Sequence, residues 1–210
     1  MALVTKDLPK FGPVVPVIVI DQIEDALPLA AALLEGGIRV LEITLRTKVA
    51  LEAIERIVKE FPEAIVGAGT IRTQADLIRA KDAGSQFCVS PGYTAEIGRA
   101  SKTYELPLLP GVSTCSELMQ ANNDGFDFLK LFPAEVVGGI PLLKAWSGPF
   151  PDVQFCPTGG VKRETAAHYL ALINVACVGG TWLTNADVMK NKDWKQLQAL
   201  AFEASRISAA

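Results

Sequence analysis

The sequence is poor in metal-binding side chains, with a single histidine, His168, and four cysteines. The cysteines form no CxxC pair, and one histidine cannot complete a His-rich zinc site. Three of the cysteines fall in predicted strands, where a thiol behaves as a small hydrophobic side chain. We therefore expect neither a metal centre nor disulfides. The cysteines are Cys88, Cys115, Cys156 and Cys177.

Long apolar runs and clusters of one charge sign are also missing. No apolar run approaches the ~20 residues that span a bilayer, and the N-terminus lacks the long apolar core of a signal peptide. The net charge is −3, and no basic patch with interleaved aromatic residues favours nucleic acid. The sequence therefore predicts a soluble, cytoplasmic protein with neither a membrane nor a nucleic-acid partner.

What the sequence has is a regular alternation of short apolar segments and helical stretches. Its 210 residues are 50% hydrophobic, enough for the core of one α/β domain. Eight strand–helix units predict a (β/α)8 TIM barrel that forms a single domain over residues 1–210, after a short helix at Lys6–Phe11. An open doubly wound sheet is the alternative, although that fold gives no reason for eight regular units. The predicted strands are Val14–Ile20, Val40–Leu45, Ala64–Ala68, Phe87–Ser90, Leu108–Leu109, Phe128–Phe132, Gln154–Cys156 and Val175–Val178.

Several helices have recognisable start signals. Asp21 is a predicted N-cap of the first helix, and Thr73 is a predicted N-cap of a later one. Ser113 or Thr114 precedes another helix, with Glu117 in its first turn. These signals support the division into strand–helix units.

Lys130 lies in the middle of the apolar segment 126–135, whose Phe and Leu residues indicate a strand buried on both faces. Lysine is among the residues that are least often fully buried. Desolvation destabilises the ammonium ion and favours the free amine, which can attack a carbonyl carbon and form an imine. The alternative is a lysine whose stem covers apolar surface while its head reaches water.

The second predicted strand carries charged residues at its carboxyl end. Strand alternation places Glu42, Thr44 and Arg46 on one face. A carboxylate and a guanidinium inside a small barrel are costly unless each has a partner. The pair is either a structural ion pair or an acid/base group beside an arginine that binds a substrate carboxylate.

Glycines follow several other strands. The third strand ends in Gly67-Ala68-Gly69-Thr70, where small residues leave space for a ligand beside one hydroxyl. Gly159-Gly160 follows the seventh strand and Gly179-Gly180 follows the eighth. The loops after strands seven and eight often bind phosphate in barrels of this kind, because backbone N–H groups point at the anion. These glycine pairs therefore predict a phosphate site.

The motifs together resemble the 2-keto-3-deoxy-6-phosphogluconate aldolase family, also called the bifunctional 4-hydroxy-2-oxoglutarate aldolase family. The similarity extends over nearly the whole chain, and the motifs occur in the family's order. They are Val14–Ile18, Leu41–Thr47, Val66–Thr70, Ser90–Gly92, Pro110–Thr114, Lys130–Glu135, Pro157–Gly160 and Gly179–Leu183.

The resemblance implies a metal-independent class I aldolase that needs no cofactor and is usually a homotrimer. In the family, the lysine that matches Lys130 forms the imine, and the glutamate that matches Glu42 moves protons. The residues that match Arg46 and Thr70 hold the pyruvate carboxylate. The expected substrate is a small-molecule keto-acid phosphate.

The resemblance also implies roles for the rest of the site. The threonine that matches Thr158 lies near the substrate hydroxyls, and the glycine-rich ends with Thr181 receive the phosphate. Thr181 stands where a serine is common, and Leu131 where relatives often have Phe. The whole predicted substrate-binding set is Arg46, Thr70, Pro91, Phe132, Thr158, Gly159, Gly160, Gly180 and Thr181.

The expected reaction is the cleavage of 2-dehydro-3-deoxy-6-phosphogluconate to pyruvate and glyceraldehyde 3-phosphate. Cleavage of 4-hydroxy-2-oxoglutarate to pyruvate and glyoxylate is expected as well. Another phosphate-binding barrel lyase, synthase or isomerase is the alternative, but it leaves Lys130 beside Glu42 without a purpose. A catalytically silent barrel that serves as an assembly or binding subunit is the third hypothesis.

Overall fold

The computed structural model describes residues 3–209. Within that range the chain forms nine strands and ten α-helices, which mostly alternate. The strands are β1 (Val14–Ile18), β2 (Val40–Thr44), β3 (Ile65–Gly69), β4 (Phe87–Val89), β5 (Leu108–Leu109), β6 (Gly111–Val112), β7 (Phe128–Leu131), β8 (Gln154–Pro157) and β9 (Val178–Gly180). The helices are α1 (Ala26–Glu35), α2 (Ala50–Glu60), α3 (Gln74–Asp82), α4 (Ala95–Thr103), α5 (Cys115–Asn123), α6 (Ala134–Val137), α7 (Gly139–Trp146), α8 (Arg163–Leu170), α9 (Ala186–Asn191) and α10 (Trp194–Ala204).

The strands make two parallel sheets. One has six strands in the order β5-β4-β3-β2-β1-β9, and the other has three in the order β6-β7-β8. Every strand pair is parallel, and two isolated parallel bridges join Phe155 to Val175 and Thr158 to Gly179. The predicted parallel α/β architecture is confirmed.

The structure corrects several predicted boundaries. The first strand ends at Ile18 instead of Ile20, because the chain turns there into the loop that precedes α1. The last strand begins at Val178 instead of Val175, because the Val175 N–H is taken by the carbonyl of Leu172 in a turn. The segment predicted as one strand at Leu108–Leu109 continues as β6 after a proline, which has no N–H for the ladder.

The helix starts agree with the sequence signals in two places. Thr73 caps α3 and Thr114 caps α5, each accepting a hydrogen bond from a backbone N–H of the first turn. The prediction for Asp21 is wrong, because a 3-10 turn at Ile23–Asp25 comes between it and α1. Thr5–Phe11 also forms a 3-10 helix, with Pro9 inside it; proline cannot donate the backbone hydrogen bond that a regular helix needs.

The buried residues divide into two clusters on opposite faces of the strands. The larger cluster packs the helices against the sheets; α2, for example, contributes Ala50, Ala53, Ile54 and Ile57 from one helical face. The smaller cluster comes from alternate strand residues, from Cys177 just before β9 and from one residue of the N-terminal 3-10 helix, so it lies on the face away from the helices. Its members are Leu8, Val15, Val40, Ile65, Phe87, Val89, Leu109, Phe128, Cys156 and Cys177.

The described residues include no helix that is both long and apolar enough to cross a membrane.

Candidate active site

Lys130 and Glu42 meet in the interior of the protein. The Lys130 Nζ atom lies 3.3 Å from the Glu42 Oε1 atom, and the two residues are only 4% and 2% exposed. Each stands two positions beyond a member of the smaller core cluster, Phe128 on β7 and Val40 on β2. Strand alternation therefore puts both side chains on the face away from the helices, as the sequence predicts for Glu42. The predicted burial of Lys130 is confirmed.

A buried ion pair of this kind is a poor source of stability. Removing two charges from water costs several kcal/mol for each ion, and the attraction between them often fails to offset that cost. The pair also lies among apolar neighbours, with the Phe132 ring centroid 5.3 Å from the Lys130 nitrogen. Proteins retain such unfavourable arrangements in the core mainly at functional sites.

Gly69 leaves room for the Glu42 carboxylate. A Cβ atom at Gly69 would lie 2.3 Å from Glu42 Oε1, a distance at which one of the two would have to move. Gly69 pairs in register with Thr44 on the neighbouring strand. The sequence predicts that this glycine leaves space for a ligand; in the structure the space accommodates Glu42.

Arg46 and Thr70 come together just beyond the ends of β2 and β3. The Arg46 Nε atom donates to the Thr70 hydroxyl at 3.0 Å, and Arg46 is exposed. Thr70 has a φ of 63°, a left-handed conformation that is uncommon for threonine. Glu42 thus contacts Lys130, whereas Arg46 contacts Thr70. The structural ion pair between Glu42 and Arg46, which the sequence left open, is not formed. Thr44, on the same strand, is buried and donates to the Ile18 carbonyl at 2.8 Å.

Pro91 and Phe132 lie at two further strand ends and are each partly buried. Pro91 follows β4, and its backbone is so close to Gly111 that a Cβ there would lie 2.5 Å from the Pro91 carbonyl carbon. Phe132 follows β7 directly. Because Gly111 pairs in register with Lys130, the Pro91 segment lies next to the residue that is paired with the lysine.

Thr158, Gly159 and Gly160 directly follow the end of β8. Thr158 is buried, and a Cβ at Gly179 would lie 2.1 Å from its hydroxyl oxygen, so the two strand ends are in close contact. Gly159 and Gly160 have φ values of 96° and 82°, which residues with a side chain rarely adopt. The sequence predicted this pair as a backbone cradle, and the structure gives it the conformation that requires glycine.

Gly180 and Thr181 lie next to this loop. The parallel bridge from Thr158 to Gly179 brings the end of β9 beside the end of β8. Gly180 is buried at the end of β9, and Thr181 is exposed directly after it. The two glycine pairs predicted from separate parts of the sequence are thus neighbours in space.

The residues described by the structure offer no group of three or more His, Cys, Asp and Glu side chains that could hold a metal ion. His168 lies in the last turn of α8. Cys88, Cys156 and Cys177 are buried, and burial raises the pKa of the Cys88 thiol. Their position in the core agrees with the prediction that these thiols act as packing residues.

The parallel strands and the buried lysine–carboxylate pair that projects from two of them define a class of α/β enzymes that attack carbonyl compounds with an amine. Comparison with known proteins gives the family. A sequence profile described as KDPG and KHG aldolase matches residues 6–200. The chain belongs to the KDPG and KHG aldolase family.

Individual relatives support the assignment. A 2-dehydro-3-deoxy-phosphogluconate aldolase of Dickeya dadantii is 50% identical over 193 residues, which are 92% of this chain and 91% of that protein. The KHG/KDPG aldolase of Escherichia coli strain K12 matches with the same identity and coverage.

Solved structures of the family are also similar. KDPG aldolase from Legionella pneumophila, with pyruvate captured at low pH as a covalent carbinolamine intermediate, has a TM-score of 0.92 and 48% identity, over 94% of this chain and 96% of that one. The 2-keto-3-deoxy-6-phosphogluconate aldolase of Zymomonas mobilis ZM4 with 3-phosphoglycerate has a TM-score of 0.93 and 45% identity, over 98% and 96%.

Proposed function

We infer that this protein is a class I aldolase that cleaves 2-dehydro-3-deoxy-6-phosphogluconate to pyruvate and glyceraldehyde 3-phosphate. The observation that carries this conclusion is the buried contact between Lys130 and Glu42, in a chain half identical to enzymes of that name. Cleavage of 4-hydroxy-2-oxoglutarate to pyruvate and glyoxylate is the second activity, because the matching family covers both substrates.

Lys130 is the proposed nucleophile. Its amine attacks the C2 carbonyl carbon of the keto acid to give a carbinolamine, which loses water to form a protonated imine. The imine accepts the electron pair of the C3–C4 bond as that bond breaks. The resulting enamine is protonated at C3, and hydrolysis then releases pyruvate and restores the amine. The pyruvate carbinolamine in the Legionella relative supports this sequence.

Glu42 is the proposed proton carrier. It lies 3.3 Å from the amine that becomes the imine nitrogen, so it is within reach of groups bonded to the adjacent carbons. Directly or through a water molecule, it takes the proton of the C4 hydroxyl during cleavage and returns a proton to C3. The carboxylate occupies the space that Gly69 leaves free, where a Cβ would lie 2.3 Å from Oε1.

Arg46 and Thr70 are proposed to hold the pyruvate carboxylate. The guanidinium has N–H groups left beyond the Nε–H that Thr70 accepts, so it can donate two parallel bonds to a carboxylate. Pro91 and Phe132 provide apolar walls beside the imine, and the Phe132 ring is near enough to the Lys130 nitrogen to shield it from water.

The phosphate is proposed to bind at the glycine loops. Gly159, Gly160 and Gly180 present backbone N–H groups, and Thr181 adds a hydroxyl. The Zymomonas relative with 3-phosphoglycerate supports an anionic ligand in this family. Thr158, which is buried and directly precedes this loop, is proposed to meet the substrate hydroxyls.

We also infer that the two sheets make one closed (β/α)8 barrel and a single domain over residues 1–210. Pro110 alone separates β5 from β6, and the bridges Phe155–Val175 and Thr158–Gly179 lie between the ends of the two sheets. Counting β5 and β6 as one strand gives eight. The homotrimer and the cytoplasmic location stay predictions, and sedimentation equilibrium tests the first.

Borohydride trapping tests the proposed function. Incubation with pyruvate and then borohydride should reduce the imine and add the mass of one reduced pyruvate to Lys130, located by peptide mass spectrometry. Lys130→Arg should show no added mass, whereas Lys144→Arg, which changes an exposed lysine on α7, should trap pyruvate like the wild type. Absence of the adduct in the wild type would reject the assignment.

A further inference from the structure

The side chain of Glu135 lies against the proposed phosphate loop. Its backbone N–H donates to the Gly159 carbonyl at 3.0 Å. Its Cβ and Cγ atoms cover Gly160, where an added methyl group would lie 2.6 Å from both. Glu135 is therefore a carboxylate beside a loop whose proposed ligand is an anion, and the two would repel each other unless the carboxylate were restrained.

Tyr169 supplies that restraint. Its hydroxyl donates to Glu135 Oε1 at 2.5 Å. The Tyr169 side chain is fully buried on α8, the helix that follows the Gly159–Gly160 loop. Burial, followed by the hydrogen bond to Glu135, raises the pKa of Tyr169, so the phenol stays protonated and remains a donor at neutral pH.

The surrounding backbone is shaped for this contact. Gly139, at the start of α7, has a φ of 51°, and a Cβ there would lie 2.7 Å from the Tyr169 hydroxyl oxygen. A residue with a side chain at position 139 would displace the Tyr169 hydroxyl. The hydrogen bond between Tyr169 and Glu135 thus links α8 with α6, the helix that follows β7. The Gly159–Gly160 loop lies against this contact.

We propose that Tyr169 and Glu135 are positioning residues that set the preference of the enzyme for phosphorylated keto acids, an inference that rests on the proposed phosphate site. The hydrogen bond fixes the Gly159–Gly160 loop against α6 and keeps the Glu135 carboxylate directed at the phenol instead of at the anion. Neither residue touches the reacting carbon atoms. Their effect reaches the substrate through the loop.

Tyr169→Phe is the main test, because it removes one hydroxyl and keeps the buried ring. We expect the KM for 2-dehydro-3-deoxy-6-phosphogluconate to rise about tenfold with little change in kcat, on the order of one hydrogen bond to a charged group. Rates with 4-hydroxy-2-oxoglutarate, which has no phosphate, should stay at the wild-type level. Glu135→Gln keeps an acceptor for the phenol and removes the charge, so its KM should equal or fall below that of the wild type.

Tyr93→Phe is a matched control. The Tyr93 hydroxyl also donates to a carboxylate, that of Asp124, at 2.5 Å, but in another strand–helix unit. This variant should leave the ratio of the KM values for the two substrates unchanged. If Tyr169→Phe impaired both substrates equally, or if Tyr93→Phe showed the same selectivity, the pair would be merely structural and the proposal would be overturned.

Binding of inorganic phosphate separates this proposal from the aldolase assignment, because it requires no turnover. In calorimetric titrations, Tyr169→Phe should bind phosphate about tenfold more weakly than the wild type, and Glu135→Gln should not. Equal phosphate affinity in the wild type and Tyr169→Phe would overturn the positioning role even if pyruvate were trapped normally. A retained difference in phosphate affinity without pyruvate trapping would support the positioning role and reject the aldolase instead.

Discussion

The two ends of the proposed substrate site are built in different ways. At the imine end, Lys130 and Glu42 are buried side chains that project from the middle of strands. At the phosphate end, Gly159 and Gly160 offer backbone groups from a loop, in conformations that exclude most side chains. One end therefore depends on which functional groups are present, and the other depends on the space left where a side chain is missing.

Because of this difference, substitutions at the two ends should affect different sets of substrates. A change at the imine end should alter the chemical step for every substrate, because all of them pass through the same imine. A change at the phosphate end should alter only substrates that carry a phosphate, since remote binding energy is used to position the reacting carbon. Comparing phosphorylated and unphosphorylated substrates distinguishes the two.

Lys130→Arg should have the largest effect. The substitution keeps a positive charge beside Glu42, but a guanidinium does not form the imine. Turnover of both substrates should fall at least about 1000-fold, the order of magnitude expected when covalent catalysis is lost. Steady-state assays with both substrates measure it. A residual rate above about a thousandth of the wild-type rate would point to a different nucleophile.

Glu42→Gln should have the next largest effect and should separate imine formation at Lys130 from the proton transfers that follow it. The amide keeps the shape of the carboxylate but cannot carry a proton, so cleavage should fall about 100-fold. Exchange of the pyruvate methyl protons with deuterated water should fall in parallel, because the same enamine is formed and quenched. Borohydride trapping of pyruvate at Lys130 should persist. Normal exchange and cleavage would reduce Glu42 to an ion-pair partner of Lys130.

The imine end was largely predictable from the sequence, because strand alternation is a local rule. The apolar residues around Lys130 predicted a buried strand, and strand alternation predicted that Glu42 shares one face of its strand with Thr44 and Arg46, inside a small barrel. The same rule was less successful for Arg46. It applies only while the strand continues, and β2 ends at Thr44, so Arg46 is exposed in the following turn.

The phosphate end was less predictable, because its geometry depends on contacts between distant segments. The glycine pairs indicated a cradle, but nothing local indicated that Glu135 covers Gly160 or that Tyr169 reaches back to Glu135. Thr70 is a similar case, since threonine disfavours the left-handed conformation that the structure gives it. Such features follow from tertiary packing, which a local pattern does not contain.

Gly160→Ala should sharpen the comparison from the phosphate end. A Cβ at Gly160 would lie 2.6 Å from Glu135, and the φ of 82° is unfavourable for alanine. The backbone conformation alone costs about 1–2 kcal/mol, and Glu135 must also move, so kcat/KM for the phosphorylated substrate should fall about tenfold or more. The value for 4-hydroxy-2-oxoglutarate should be nearly unchanged.

Gly148→Ala is the control for this variant, because a Cβ there would meet nothing within 4 Å. It should leave both substrates unaffected. If Gly160→Ala lowered kcat/KM equally for both substrates, the loop would be needed for folding or for the imine end, and the distinction between the two ends would fail.

Arg46→Lys should have the smallest effect and concerns the residue that belongs fully to neither end. Arg46 acts through its side chain, as the imine end does, but it is exposed in a turn, as the phosphate loop is. Lysine keeps the charge but loses the planar fork and the Nε–H that Thr70 accepts at 3.0 Å. We therefore expect the apparent Kd for pyruvate, measured from the concentration dependence of trapping, to rise about fivefold, somewhat less than one charged hydrogen bond is worth because lysine still attracts the carboxylate. Both substrates should be affected equally, since each carries the same keto-acid carboxylate. A loss confined to the phosphorylated substrate would instead assign Arg46 to the phosphate end.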